Sequence, residues 1–196
     1  MSKIKKDSAP VRSLPAPGEG ARYVPPVPLP YGIATLVFAE GRLLSVPWEK
    51  DARRLLATVR REHPDARPDD GAHSGSRDLL VRYAAGRFPT AGEVLALPFA
   101  WERVSPFDRK ILESAARVPA GSTATYGEVA ARAGMAGAAR ATGGALGRNP
   151  WPVLLPCHRV VGSDGSLTGF GKGIAAKHSL LAFESSPPAG TRLPNK

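Results

Sequence analysis

Leu154-Leu155-Pro156-Cys157-His158-Arg159-Val160-Val161 is the stretch from which the rest of the chain can be read. It holds the only cysteine of the 196 residues, followed directly by a histidine. The leucines before and the valines after should anchor the tripeptide in a core. Pro156 fixes its own φ and biases Leu155 toward an extended conformation, which stiffens the backbone leading to Cys157. The pattern is that of a sulfur held still on a rigid support. A buried structural cysteine fits the residue type as well, because free cysteine is among the most buried residue types. The sequence on either side has to decide between the two.

The composition narrows the choice. A single cysteine excludes an intrachain disulfide framework and a cysteine-based zinc cluster, and it suits a reducing compartment. With 42% hydrophobic residues, the chain can bury a core without staples. No apolar run is long enough to span a bilayer. The lysines near the N-terminus are not followed by the apolar segment of a secretory signal. A cytoplasmic protein without a membrane partner is expected. The net charge of +10, from 27 basic and 17 acidic residues, points to a polyanion as partner, nucleic acid before membrane surface. An arginine-favouring coding sequence accounts for the same excess.

Along the chain, residues 1–30 carry Lys3, Lys5, Lys6 and many prolines and are expected to be a Pro-rich tail that forms neither helix nor sheet ladder. Residues 31–100 read as a small α/β domain. Ile33 to Phe38 and Leu43 to Trp48 flank Glu40-Gly41 as a hairpin. Asp51 caps a helix to about Glu62, with Leu55, Leu56 and Val59 inward and Arg53, Arg54, Arg60 and Arg61 outward. His63–Ser76 reads as a loop, Arg77–Ala85 as a short helix stopped by Gly86, and Glu93–Leu97 as a further strand. His63 and His73 lie in or beside the polar loop with no cysteine near, so no metal site is expected there.

Residues 101–186 read as a mostly helical domain, with 187–196 a polar tail. Ser105-Pro106-Phe107-Asp108 has a cap, a first-turn proline and an acid three residues after the cap. Thr125-Tyr126-Gly127-Glu128 repeats the capping-box pattern and opens a helix to about Ala133, where Gly134 breaks it. A third helix, about Ala136 to Leu146, is built of small residues, with Arg140 its one long side chain before Arg148. The pair has the layout of a helix-turn-helix, which suits DNA binding in a basic protein. Packing against a neighbouring helix explains the small residues equally well. Thr168-Gly169-Phe170-Gly171-Lys172-Gly173 is a glycine-rich loop without the Lys-Ser/Thr ending of a P-loop. A last helix runs from Ile174 to about Glu184. The fold class expected is α+β: a hairpin-based sheet with helices, then a helical domain carrying a helix-turn-helix.

These motifs together resemble the O6-alkylguanine-DNA alkyltransferases. Pro156-Cys157-His158-Arg159-Val160 is similar to the family's active-site motif. Thr125 to Ala130 resembles its first DNA-binding helix and Ala139 to Ala145 its recognition helix. Asn149-Pro150 precedes the cysteine at the family's spacing, and Lys177, Leu180-Leu181 and Glu184 resemble its closing helix. The similarity runs from about Pro106 to Glu184; the N-terminal half matches only in layout, at Leu79–Gly86.

The resemblance implies repair of duplex DNA by irreversible transfer of an alkyl group from O6-alkylguanine, with O4-alkylthymine an open second substrate. It implies no cofactor or metal, and a monomer. Cys157 is then the acceptor, His158 takes its proton through a water, Glu184 orients His158, and Asn149 holds the turn. Tyr126 helps to rotate the target nucleotide out, and Arg140 fills the gap in the duplex. The motifs also put Thr125, Ala139, Gly143 and Arg148 at the DNA. Backbone at Cys157, Val160 and Gly171 is expected to bond the guanine edge.

The chemistry supports these roles independently. The thiolate is the nucleophile and burial raises a thiol's pKa, so a proton acceptor is needed nearby. On an extended segment Cys157 and His158 would point to opposite faces, which favours a bridging water. A carboxylate behind the imidazole fixes its tautomer. The target carbon is inaccessible inside a stacked duplex, so the base must be extruded. Phe170 and Lys172 depart from the family's usual Tyr and Gly, and Lys172 is expected to crowd or charge the pocket mouth. A non-catalytic lesion binder of the alkyltransferase-like kind lacks the cysteine, and a cysteine hydrolase has no place for a helix-turn-helix.

Overall fold

The computed structural model describes residues 20–69, 71 and 73–186. The N-terminal half holds two small sheets. One has the order β5-β4-β1-β7, from Arg42–Ser45, Val37–Ala39, Arg22–Tyr23 and Arg67–Pro68. The other runs β2-β3-β6, from Val27–Leu29, Gly32–Ala34 and Trp48–Glu49. β4 and β5 form the expected hairpin. Glu40 and Gly41 both take positive φ, 50° and 72°, which matches a two-residue turn to the right-handed twist of the strands.

Helix α1, Ala52–Glu62, starts at Asp51, whose carboxylate accepts from Arg54 N–H, and buries Leu55 and Val59 with its arginines outward. Helix α2, Ser74–Ala84, ends before Gly86, where φ is 73°.

Three expectations for this half are corrected. Of the tail expected over 1–30, residues 1–19 and their lysines lie outside the described residues, and the remainder contains strands β1 and β2. Pro28 is tolerated because β2 is an edge strand, and Val27 and Leu29 turn inward around it. The loop expected over His63–Ser76 contains strand β7, parallel to β1, and the first turn of α2. The strand expected at Glu93–Leu97 is a short helix, α3, Ala91–Leu95. Thr90 and Glu93 form a reciprocal capping box there, and that local signal outweighs the apolar run.

The C-terminal half begins with α4, Pro106–Ala116, capped by Ser105 on Asp108 N–H. Helix α5, Tyr126–Arg132, carries the predicted box between Thr125 and Glu128. Helix α6, Ala139–Gly147, starts three residues later than expected, after Gly137 at φ 83°. Helix α7, Ile174–Ser185, closes the described chain, with Leu180 buried and Leu181 only half-buried. One hydrophobic cluster runs through both halves, from Val24 and Phe38 to Leu155 and Leu180. Phe99, Trp101 and Trp151 pack in tilted and edge-to-face pairs at its junction, with ring centroids 4.9–5.2 Å apart.

Two connections position the site. Strand β8, Ala124–Thr125, pairs in parallel with β9, Val160–Val161. β8 leads straight into Tyr126 and β9 leaves straight from Arg159, so a short ladder fixes the helix-turn-helix against the cysteine turn. The segment before the cysteine is fastened to the N-terminal hairpin: Trp151 Nε1 donates to Leu43 O at 2.9 Å and Val46 N–H to Pro150 O at 2.8 Å.

Candidate active site

Cys157 is not on an extended segment. Cys157–Arg159 form a single 3-10 turn, entered from Pro156 at φ −83°, ψ 66°. Successive side chains in such a turn step by about 120° rather than 180°. His158 and Arg159 can therefore converge on one partner, which the extended reading forbade.

That partner is Glu184 on α7. His158 Nε2 donates to Glu184 Oε1 at 2.8 Å, and both side chains are fully buried. Arg159 Nε donates to Oε2 and Nη2 to Oε1, each at 2.9 Å, while its Nη1 bonds Val118 O at 2.6 Å. Tyr83 Oη on α2 donates to Oε1 at 2.8 Å and the Gly121 N–H to Oε2 at 3.3 Å. Because Nε2 gives its proton to the carboxylate, Nδ1 is the basic nitrogen, and it has no hydrogen-bond partner among the described residues. Burial holds the imidazole below its ordinary pKa, so it rests neutral and can accept a proton there. Burial tends to raise the Glu184 carboxyl, but the hydrogen bonds and charges of His158 and Arg159 outweigh it and bring the group down to about 2.

Cys157 is 8% exposed and free. Asn149 braces it. Asn149 Nδ2 donates to Leu155 O at 2.7 Å and lies 3.3 Å from Cys157 Sγ, and Trp151 N–H donates to its Oδ1 at 2.9 Å. Burial pushes the thiol upward, opposed by the Asn149 hydrogen bond and the Lys177 ammonium. Lys177, on α7, is fully buried, with Nζ on Val160 O at 2.6 Å and Thr168 O at 2.8 Å. The cysteine turn thus carries a resting thiol whose thiolate the Lys177 ammonium favours, followed directly by a neutral base backed by a carboxylate.

Tyr126 stands at the rim. Its hydroxyl donates to Thr168 O at 3.0 Å, and its ring is 5.9 Å from Lys177 Nζ. Gly143 on α6 faces that ring, and a Cβ placed there would meet it in ordinary contact at 3.7 Å. The small-residue helix packs along one face and is open along the other. Thr142, Ala145 and Leu146 pack inward, while Ala139, Arg140, Ala141 and Gly144 are exposed. Arg140 lies one turn before Gly143, on the Tyr126 side of the helix. Thr125 uses its side chain in the α5 cap.

Arg148 does not extend freely from α6. It forms a two-point pair with buried Asp108 on α4, at 3.0 and 2.7 Å, and locks the two helices together. Gly171 is exposed, and no described atom lies within 4 Å of a Cβ placed there. The charge expected of Lys172 at the pocket mouth is corrected: its Nζ turns to Glu49 Oε1 on β6 at 2.9 Å and is neutralised there. Among the described residues, no three His, Cys, Asp or Glu side chains are grouped to hold a metal, and no helix is long and apolar enough to cross a membrane.

Residues 106–186 match the model for the DNA-binding domain of 6-O-methylguanine DNA methyltransferase. The methylated-DNA–protein-cysteine methyltransferase of Mycobacterium tuberculosis strain H37Rv is 43% identical over 119 residues, which span 61% of this chain and 69% of the relative. The chain belongs to the methylated-DNA–protein-cysteine methyltransferase family. The Salmonella typhimurium member is 33% identical over 146 residues, 73% of this chain and 83% of its own. The crystal structure of Mycobacterium tuberculosis OGT in complex with DNA superposes with a TM-score of 0.68 at 33% identity, over 87% of this chain and 96% of the other. The O6-methylguanine-DNA methyltransferase of Pyrococcus kodakaraensis gives 0.64 at 25% identity, over 85% and 100%.

Three further residues of the site, Arg159, Lys177 and Tyr83, have roles that their places in the sequence do not declare. Arg159 was visible as the neighbour of His158 in the motif, but only the 3-10 turn aims it at Glu184. Lys177 was signalled by a cation between apolar positions of a closing helix. Tyr83 falls in the Leu79–Gly86 segment that resembles the family in layout, but 101 residues separate it from Glu184 and nothing in the spacing aims it there.

Proposed function

We propose that this chain repairs alkylated duplex DNA by direct reversal, taking the alkyl group from an extruded O6-alkylguanine onto Cys157. The observation that carries the reading is the 2.8 Å bond from His158 Nε2 to Glu184, which leaves Nδ1 as a base in the turn that bears the thiol.

In the transfer, the Cys157 S–H proton passes through a bridging water to His158 Nδ1 while Sγ attacks the alkyl carbon. The S–C bond forms as the C–O6 bond breaks. The thiolate character is supported by Lys177 and the imidazolium by Glu184, the division of labour of nucleophile–His–carboxylate sites. The relay then returns the proton to guanine, which leaves in its normal form. The product is a thioether with no group placed to expel its sulfur, so each molecule acts once.

Extrusion falls to the helix-turn-helix. Tyr126 turns the target nucleotide toward the sulfur, and Arg140 occupies the vacated stack, where apolar wedges are the more general device. Thr125, Ala139 and Gly143 lie on the surface that meets the DNA, while Arg148 serves it by holding α6 against α4. The backbone at Cys157, Val160 and Gly171 bonds the guanine edge. The protein works as a monomer in the cytoplasm.

The test is mass analysis of the Cys157 peptide after incubation with O6-methylguanine duplex. The expected result is one methyl in place of the thiol hydrogen on a stoichiometric fraction, with undamaged guanine recovered. An unmodified peptide at full exposure to the lesion, with lesion binding retained, would establish a non-catalytic binder instead.

A further inference from the structure

We infer that Tyr83 is a positioning residue of the transfer reaction, through which the N-terminal half sets the strength and aim of the His158–Glu184 relay. The inference rests on the alkyl-transfer reading and goes beyond it, since that reading uses only groups of the C-terminal half.

Tyr83 projects from α2 with 2% of its surface exposed, and its hydroxyl donates to Glu184 Oε1 at 2.8 Å. The same oxygen accepts from His158 Nε2 at 2.8 Å and Arg159 Nη2 at 2.9 Å. Three donors share one oxygen, so each limits what the others draw from it. The Tyr83 ring lies against Phe88 at 5.4 Å and Phe183 at 5.9 Å between centroids. A phenylalanine would fill that aromatic nest, so packing alone does not call for the hydroxyl. Burial and the Glu184 charge hold the phenol well above its ordinary pKa, which keeps it a donor at every working pH.

The groups facing Glu184 are His158 and Arg159 from the cysteine turn, Tyr83 from α2, and the Gly121 N–H from the turn after α4. Lys177 and Arg159 add positive charge at His158. Among the described residues whose side chains bond the carboxylate, only Tyr83 belongs to the N-terminal half. Removing its hydroxyl leaves Oε1 more available to the imidazole. The imidazole then holds a proton more tightly, and the carboxylate loses one of the bonds that fix its angle.

The experiment uses the full chain as wild type, Tyr83→Phe and Phe88→Leu. The last variant loosens the same aromatic packing without touching the carboxylate. Single-turnover transfer from O6-methylguanine duplex is followed against pH, and the His158 imidazole is titrated by NMR without DNA. Tyr83→Phe is expected to move the acid limb of the rate profile, and the His158 midpoint, up by about half a pH unit, with transfer about threefold slower on that limb. Affinity for undamaged duplex should not change. Phe88→Leu should lower the melting temperature and leave the limb and midpoint in place. A Tyr83→Phe profile and titration that superpose on wild type overturn the inference, as does an equal shift in Phe88→Leu. A wild type that transfers nothing defeats the alkyl-transfer reading, while the imidazole titration still decides the role of Tyr83.

Discussion

Arg159 and Glu184 meet as two parallel hydrogen bonds of 2.9 Å, with both side chains buried, directly behind the imidazole of His158. A desolvated ion pair of this kind is weak as a source of net stability, but removing one partner leaves the other charge buried and unpaired. Glu184→Gln should therefore destabilise the fold by about 3–5 kcal/mol and slow transfer as well. The pH dependence has a definite sign. The folded-state pKa of Glu184 lies at about 2, below the ordinary 4.5, so its contribution to stability is fully present above 4.5 and is lost as pH falls toward 2. Denaturant unfolding of wild type and Glu184→Gln across that window checks this: the gap between the two should narrow on acidification. A constant gap would mean that the carboxylate carries no linked proton.

Lys177 gives up solvent to bond two carbonyls, Val160 O and Thr168 O, and places its charge where the Cys157 thiolate would form. Lys177→Met keeps much of the stem and removes the charge. The Cys157 thiol, already raised by burial, should then rise further, because one of the influences opposing burial is gone. Iodoacetamide labelling of Cys157 against pH is the measurement, and its midpoint should lie higher in the variant than in wild type. Equal midpoints would assign Lys177 to bracing the Thr168 loop alone.

The legible parts of the sequence were those in which the decisive interaction is local. Asp51, Ser105 and Thr125 announce helix starts because each side chain caps a backbone N–H three residues on. Glu40-Gly41 announces a hairpin because two positive φ values are needed in succession. Thr90-x-x-Glu93 carried the same local signal as Thr125-x-x-Glu128, and an apolar run read as strand hid it. The geometry of the site was less legible. His158 and Glu184 were read as partners on the strength of the motifs, but their convergence with Arg159 depends on a 3-10 turn that residue types do not specify. Pairings such as Tyr83 with Glu184, Lys172 with Glu49 and Arg148 with Asp108 are set by how whole elements pack, and spacing along the chain carries no trace of them. Residues 27–29 read as tail for a related reason: Pro28 suits an edge strand as well as a coil, and only the partner β3 decides.

The bond between Lys172 and Glu49 ties the glycine-rich loop to β6, and Phe170 packs on Trp48 beside it, with centroids 6.2 Å apart. The other end of the loop is held at Thr168 by Tyr126 and Lys177. A loop fastened at both ends resists the outward movement that a bulky adduct requires, so methyl should be removed faster than benzyl. Lys172→Gly and Glu49→Gln each cut the tie from a different side. Both should narrow the ratio of transfer rates on O6-methyl- and O6-benzylguanine duplexes by a similar factor. Equal wild-type rates on the two substrates, or a response to Lys172→Gly alone, would rule out the tie as the cause.

Arg140 is the long side chain on an otherwise smooth exposed face of α6, the helix whose Gly143 faces the Tyr126 ring. Two roles separate by measurement. A phosphate contact requires only charge, so Arg140→Lys would preserve both binding and repair, and Arg140→Ala would lower the salt dependence of duplex affinity by about 0.9 in the logarithmic slope. A wedge requires a flat group that stacks in the place of a base, which a guanidinium provides and an ammonium does not. The wedge role predicts that Arg140→Lys keeps the affinity and salt slope for undamaged duplex but slows transfer from O6-methylguanine in duplex DNA. It also predicts that the defect shrinks on a single strand, where no stack has to be refilled and unstacking costs least. Repair by Arg140→Lys at the wild-type rate would leave charge as the whole contribution.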